Sequence, residues 1–132
     1  MAKVMVVDDD PGVRRFVVRV LREAGHEVTA LGDAESALAR VLGERPRLFL
    51  LDINLPGMHG IDLAQKLRKT RGMEAVPVVI LSVRTHPSDK VVAFASGAVR
   101  YLEKPFKKAE LLDAVGTALD WAEQKGKKPP RR

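Results

Sequence analysis

The sequence predicts an α/β domain over residues 1–124, a doubly wound parallel sheet of five strands accompanied by five helices. Three observations carry that expectation. Short apolar runs rich in β-branched residues alternate five times with stretches of helical periodicity. Several of the runs are apolar without a break, as strands covered on both faces are. The residues between them are Asp, Gly and Pro, which supply caps and turns. Parallel strands joined by helices take right-handed crossovers and leave helices on both faces of the sheet.

The first run, Val4-Met5-Val6-Val7, ends in Asp8-Asp9-Asp10. Asp10 is an N-cap candidate, and Pro11 suits the first helical position. Val13, Phe16, Val17, Val20 and Leu21 then form the apolar stripe of a helix whose other side carries Arg14, Arg15, Arg19 and Arg22. Gly25 closes it, and Glu27–Leu31 is the second strand. Asp33 caps a second helix to about Leu42, with Ala34, Ala37, Leu38 and Val41 facing inward. Leu48-Phe49-Leu50-Leu51 is the third strand, ending at Asp52, with Leu55-Pro56-Gly57 as a turn. A third helix covers Ile61–Arg68. Val78–Leu81 is the fourth strand, ending at Ser82, and Pro87–Ser96 reads as a less one-sided fourth helix closed by Gly97. Val99–Leu102 is the last strand. It leads to Lys104-Pro105 and a final helix over about Lys107–Gln124, before Gly126 and Pro129-Pro130 break the pattern.

Composition narrows the function classes. The chain has 132 residues, 45% apolar and 30% charged, as expected of one globular domain. With no cysteine there is neither a disulfide framework nor a thiolate metal site. The start shows no signal-peptide pattern and no run has membrane-spanning length, so the expectation is a cytoplasmic protein without membrane contact. The net charge is +6, but Lys125, Lys127, Lys128, Arg131 and Arg132 carry five of those charges, leaving +1 on residues 1–124. The basic character belongs to a Pro-containing tail or the start of a linker over residues 125–132. Five charges there allow weak, salt-dependent nucleic-acid binding. No helix presents a basic face with base-reading side chains, so contact with nucleic acid is expected only indirectly.

In an open parallel sheet the functional crevice lies outside the carboxyl ends of the strands. The residues standing there are Asp8, Asp9 and Asp10 after the first strand, Asp52 after the third, Ser82 after the fourth and Lys104 after the fifth. Carboxylates converging from two strands repel one another and raise one another's pKa, unless a divalent cation and an ammonium hold them ionised. Oxygen donors without His or Cys point to Mg²⁺, with Mn²⁺ as a substitute.

Val6-Val7-Asp8-Asp9-Asp10-Pro11, Leu51-Asp52-Ile53-Asn54-Leu55-Pro56-Gly57-Met58 and Tyr101-Leu102-Glu103-Lys104-Pro105-Phe106 resemble, in order and in register, the bacterial response-regulator receiver domain of two-component signalling. The resemblance covers residues 3 to about 124 and implies a flavodoxin-like strand order 2-1-3-4-5. It implies a phosphorylation-dependent switch rather than an enzyme, with only self-directed phosphotransfer and autodephosphorylation. Asp52 would accept a phosphoryl group from a sensor histidine kinase or a phosphotransfer protein. Asp9, Asp52 and the backbone carbonyl of Asn54 would hold Mg²⁺, with Asp8 acting through water. Lys104 would pair with Asp52 and then with the phosphoryl oxygens. Ser82 would be the switch hydroxyl, and Tyr101 the aromatic that fills the space Ser82 vacates. The surface of the fourth helix, fifth strand and fifth helix, including Lys90, Arg100 and Glu110, would face a downstream effector, an attached output domain or a second copy in a phosphorylation-dependent homodimer.

Departures from the family pattern bear on rates and partners. Val83 stands where a small residue is usual and would narrow access to Asp52. His59 stands where Asp is common, and Val99-Arg100 replaces a more acidic pair. Other readings remain beside this one. A haloacid-dehalogenase-like phosphohydrolase would use Asp8 as nucleophile and leave Asp52 idle. It wants Thr or Val where Gly12 stands, and an acidic pair after the lysine where Pro105-Phe106-Lys107-Lys108 has none. A flavodoxin is disfavoured because three acids after the first strand repel a flavin phosphate. Asp10 taken alone is a helix cap. His26, His59 and His86 lie in separate loops without ligand spacing and read as solvated surface. The arginines of the first helix read as its solvated face, or as a kinase docking face.

Overall fold

The computed structural model describes residues 2–83, 91, 93–95 and 97–124. Strands β1 (Lys3–Val7), β2 (Glu27–Leu31), β3 (Leu48–Asp52), β4 (Val78–Ser82) and β5 (Arg100–Glu103) form one sheet in the order β2-β1-β3-β4-β5. Every pairing in it is parallel, so the flavodoxin-like 2-1-3-4-5 order is observed. Helices α1 (Pro11–Glu23), α2 (Ala34–Glu44) and α3 (Gly60–Arg68) and a C-terminal helix (Lys108–Glu123) cover it. Val91 and Ala93–Ala95 are helical between β4 and β5, where the fourth helix is expected. The rest of that expected helix, with His86, Lys90 and the tail 125–132, lies outside the described residues.

Period-2 alternation within the strands divides the core in two. Met5, Val7, Phe49, Leu51, Val78 and Ile80 face the cluster that takes in α2 and α3. Val4, Val6, Leu48, Leu50, Val79 and Leu81 face the cluster of Val17 and Leu21 from α1 with Leu111, Ala114 and Val115 from the C-terminal helix. All five residues of β3 and of β4 are buried, as central parallel strands require. The ends of β1, β3 and β4 are thereby fixed from both sides, and whatever stands just beyond them inherits that rigidity.

Of the boundaries that differ from expectation, three do so for a local reason. The last strand runs Arg100–Glu103 instead of starting at Val99, while Val99 N still donates to Val78 O at 2.9 Å as the chain enters the sheet. Lys107 is the N-cap of the final helix, its N–H donating to Glu110 Oε1 at 2.7 Å. The turn after Asp52 is a small antiparallel hairpin, Asn54–Leu55 against Met58–His59, pivoting on Gly57 at φ +76°. Two-residue strands are too short to leave a pattern in sequence.

Two of the histidines have more specific places than solvated surface. His59 Nδ1 accepts from Ile61 N at 3.1 Å and caps α3, and His26 Nδ1 accepts from Ala2 N at 3.0 Å. Desolvation and the nearby N-terminal charge hold His26 below the usual histidine pKa.

Candidate functional site

The carboxyl edge of the sheet gathers the acids predicted there. Asp8 follows β1 and is 0% exposed, Asp52 closes β3 at 4%, and Asp9 lies on the surface beside them. One ligand oxygen from each of Asp8, Asp9 and Asp52 falls within 4.8 Å of the others. Asp10 stands apart. Its carboxylate accepts from Gly12 N at 2.8 Å and Val13 N at 3.4 Å, so it caps α1 and takes no place in the cluster.

Asp8 is held by its backbone as well as by its side chain. Its N–H donates to Leu31 O at 3.0 Å, its carbonyl accepts from Arg14 Nη1 at 2.7 Å, and its Oδ1 accepts from Asp10 N at 2.9 Å. Arg14 reaches the carbonyl by crossing Gly32, where a Cβ would stand 3.1 Å from Nη1. Sequence alone places Arg14 on the solvated or docking face of its helix. The signal that could have found it is its position six residues after Asp8, on a helix that starts at the sheet edge.

Lys104 directly follows β5 and is joined to Pro105 by a cis bond, with its own N–H donating to Ser82 O at 2.6 Å. Its side chain is 10% exposed and its ammonium stands between two acids, 2.7 Å from Asp8 Oδ2 and 3.5 Å from Asp52 Oδ1. The expected pairing with Asp52 is therefore shared, and the closer partner is Asp8. The physical reason is burial: the more deeply desolvated carboxylate gains most from the Lys104 ammonium. Asp8 Oδ2 meets that cation at ion-pair distance while lacking a partner at hydrogen-bond angles.

Among the described residues, three carboxylates stand here against one ammonium, which leaves an excess of negative charge. Burial first, and then repulsion from Asp8, push the Asp52 carboxyl up to about 6, with Asp9 adding to the shift; Lys104 and the Asn54 N–H, 3.3 Å from Oδ1, oppose it. Hard oxygen donors, a desolvated oxygen without a hydrogen bond and uncompensated charge fit a divalent oxophilic cation.

Ser82 ends β4 beside Asp52 and is 2% exposed. Tyr101 on β5 is half-buried against the cluster on the α2 and α3 side. Val83 is 66% exposed. Arg100 donates to Asp113 Oδ2 and Thr117 Oγ1, both at 3.1 Å, so it is tied to the C-terminal helix within the face it was expected to offer a partner. Glu110 is exposed but holds the Lys107 N–H. An open groove of about 930 Å³ runs from Asp9 and Asn54 along the hairpin to Lys66 and Lys69, giving solvent a way to the cluster.

The geometry does not favour the phosphohydrolase alternative. Its nucleophile would be Asp8, which is fully buried with one oxygen against Lys104 and the other on Asp10 N. Among the described residues no helix is long and apolar enough to cross a membrane.

Comparison with known proteins identifies the family. The chain is 43% identical over 117 residues to the DNA-binding response regulator MtrA of Mycolicibacterium smegmatis, covering 89% of this chain and 50% of that protein. It is 42% identical over 109 residues to the two-component response regulator PhoP of Pseudomonas aeruginosa, covering 83% and 48%. It spans about half the length of these curated relatives. Among solved structures, the chemotaxis response regulator CheY4 of Vibrio cholerae superposes with a TM-score of 0.85 at 34% identity, covering 90% of this chain and 99% of that one. Residues 4–116 match the response regulator receiver domain family, and the chain belongs to that family of two-component signalling switches.

Proposed function

We propose that Asp52 accepts a phosphoryl group from the phosphohistidine of a sensor kinase or phosphotransfer protein, and that the resulting charge resets the surface around β5 and the C-terminal helix. The observation that supports this most is the convergence of Asp8, Asp9, Asp52 and Lys104 at one sheet edge, with Asp52 at the solvent-reachable end of the only fully buried strand that terminates in an acid among those described. An Asp52 oxygen attacks phosphorus, the P–N bond to the donor breaks, and the imidazole leaves; an acyl phosphate remains. Such transfer needs little covalent help from the protein beyond positioning and charge neutralisation.

Asp9, Asp52 and the Asn54 carbonyl would hold Mg²⁺, or Mn²⁺, with Asp8 acting through water; the ion supplies neutralisation of the carboxylates and of the transferring oxygens. Lys104, already placed between Asp8 and Asp52, supplies a further positive charge to those oxygens. Ser82 donates its hydroxyl to the new phosphoryl group, and Tyr101 takes up the space released. Moving a two-state equilibrium from 1:99 to 99:1 requires about 5.5 kcal/mol. Two or three charge-assisted hydrogen bonds at about 1.5–3 kcal/mol each are of that size.

Residues 1–124 form the receiver unit of this reading, acting in the cytoplasm, and residues 125–132 form a tail or linker. The output is an attached domain, an effector or a phosphorylation-dependent second copy. Exposed Val83 beside Ser82 limits traffic to Asp52.

The test is uptake of label from radiolabelled acetyl phosphate. Incorporation is expected with Mg²⁺ and lost when EDTA removes it; equal incorporation in EDTA overturns the reading. Mg²⁺ affinity measured by calorimetry should also fall as pH drops below about 6, because protonated Asp52 cannot ligate. An affinity unchanged between pH 7 and pH 5 would exclude Asp52 from the metal site.

A further inference from the structure

We infer that Gly60 is a positioning residue for the phosphoryl and metal site, required there because the first turn of α3 is pressed against the main chain of Asp52. This inference rests on the function proposed above.

The chain leaves β3 at Asp52, and Ile53 N still donates to Leu81 O at 2.9 Å. It then turns through the hairpin of Asn54–Leu55 and Met58–His59 and comes back on itself, so that Gly60 N donates to Ile53 O at 2.7 Å. The loop carrying Asn54 is thus closed by a main-chain hydrogen bond at its base. At that closure a Cβ on residue 60 would overlap Asp52 O and stand 2.8 Å from Ile53 Cα and 2.9 Å from Asp52 C. All three obstacles are backbone atoms, so no side chain can swing aside. By contrast a Cβ at Gly116, within the C-terminal helix, meets nothing within 4 Å.

The two sides of this contact are unequally free to move. β3 is buried along its whole length and paired to β1 and β4. The hairpin has two residues on each side, and the helix start behind it is held by the His59 cap and the Gly60–Ile53 bond. A side chain at residue 60 therefore displaces the Ile53–Leu55 segment and the first turn of α3 before it displaces the sheet. That segment contains the Asn54 carbonyl, and its Asn54 N–H donates to Asp52 Oδ1. Gly60 sets the main-chain geometry from which both metal-facing groups project, without touching metal or phosphate itself. Errors of about 1 Å in such placement can cost on the order of 100-fold in rate.

The experiment compares Gly60→Ala with wild type and Gly116→Ala, reading fold by circular dichroism, Mg²⁺ affinity by calorimetry and labelling by acetyl phosphate. Gly60→Ala is expected to keep a cooperative unfolding transition while losing at least about tenfold in Mg²⁺ affinity and about tenfold or more in labelling rate, the scale of a sub-ångström to ångström displacement. Gly116→Ala should match wild type in both. A folded Gly60→Ala protein with Mg²⁺ affinity and labelling within twofold of wild type overturns the inference. Should that variant not fold, hydrogen exchange of the wild-type Gly60 amide decides. Saturating Mg²⁺ should slow it about tenfold by fixing the closed loop, and an unchanged rate overturns the inference. If wild type binds Mg²⁺ but takes no label, the proposed phosphoacceptor function fails while the calorimetric comparison still judges Gly60.

Discussion

Asp52→Asn is expected to abolish phosphoryl uptake and to make the metal-free domain more stable at pH 7.5. An ionised Asp52 is costly in the native state, since burial and the neighbouring Asp8 raise its pKa to about 6 from the ordinary 3.8. For an acid whose pKa is raised on folding, the native state binds the proton more tightly than the unfolded chain between those two values. Stability therefore falls as pH rises through that window, and the loss is complete above about pH 6. A window roughly two pH units wide corresponds to about 3 kcal/mol, so the asparagine variant should gain roughly 2–3 kcal/mol at pH 7.5. The gain should shrink to about 0.5 kcal/mol at pH 4, where Asp52 is almost fully protonated in the native state and about half protonated in the unfolded chain. Urea unfolding in EDTA at the two pH values measures it. A variant less stable than wild type at pH 7.5 would mean that the Lys104 pairing outweighs burial. Mg²⁺ should offset that difference, because only wild type retains the full ligand set; at 100 times Kd the linkage contributes about 2.7 kcal/mol, the size of the gain itself.

Lys104→Met should act in the opposite direction. The side chain of Lys104 is 10% exposed, and its ammonium is 2.7 Å from an Asp8 carboxylate with no solvent exposure. Methionine keeps the apolar stem and deletes the charge, leaving Asp8, Asp9 and Asp52 within 4.8 Å of one another without a cation. Removing one member of a buried pair costs about 3–5 kcal/mol. The urea midpoint in EDTA should fall accordingly, and Mg²⁺ should restore part of the loss by replacing the missing positive charge. Labelling by acetyl phosphate should stay depressed even where stability is restored, since the ammonium also serves the transferred oxygens. An unchanged midpoint in EDTA would show that the close approach of Lys104 contributes nothing to the fold.

What could be read from sequence followed from period and punctuation. Leu48-Phe49-Leu50-Leu51 is apolar on both strand faces, which marks a central parallel strand, and an acid directly after it is conspicuous on energetic grounds alone. The same reasoning found Asp8, Ser82 and Lys104, because strand ends are visible wherever an apolar run stops. The features that stayed hidden depend on approach in three dimensions. Whether Lys104 sits nearer Asp8 or Asp52 is decided by relative burial, which spacing does not encode. Arg14 looks like any solvated arginine until Gly32 is found beneath it. Gly60 reads as the punctuation before a helix, and only the return of the hairpin onto Asp52 turns its missing side chain into a requirement. Arg100 and Asp113 are paired across a loop that no periodicity spans.

The role of Asp52 as phosphoacceptor is tested most directly by locating the phosphoryl group. Protein treated with acetyl phosphate and Mg²⁺, reduced with borohydride and fragmented in a mass spectrometer should carry homoserine at Asp52, left when hydride displaces phosphate from the acyl phosphate, and Asp52→Asn should carry none. Modification at Asp8 or Asp9 in wild type, or undiminished labelling of Asp52→Asn, would contradict it.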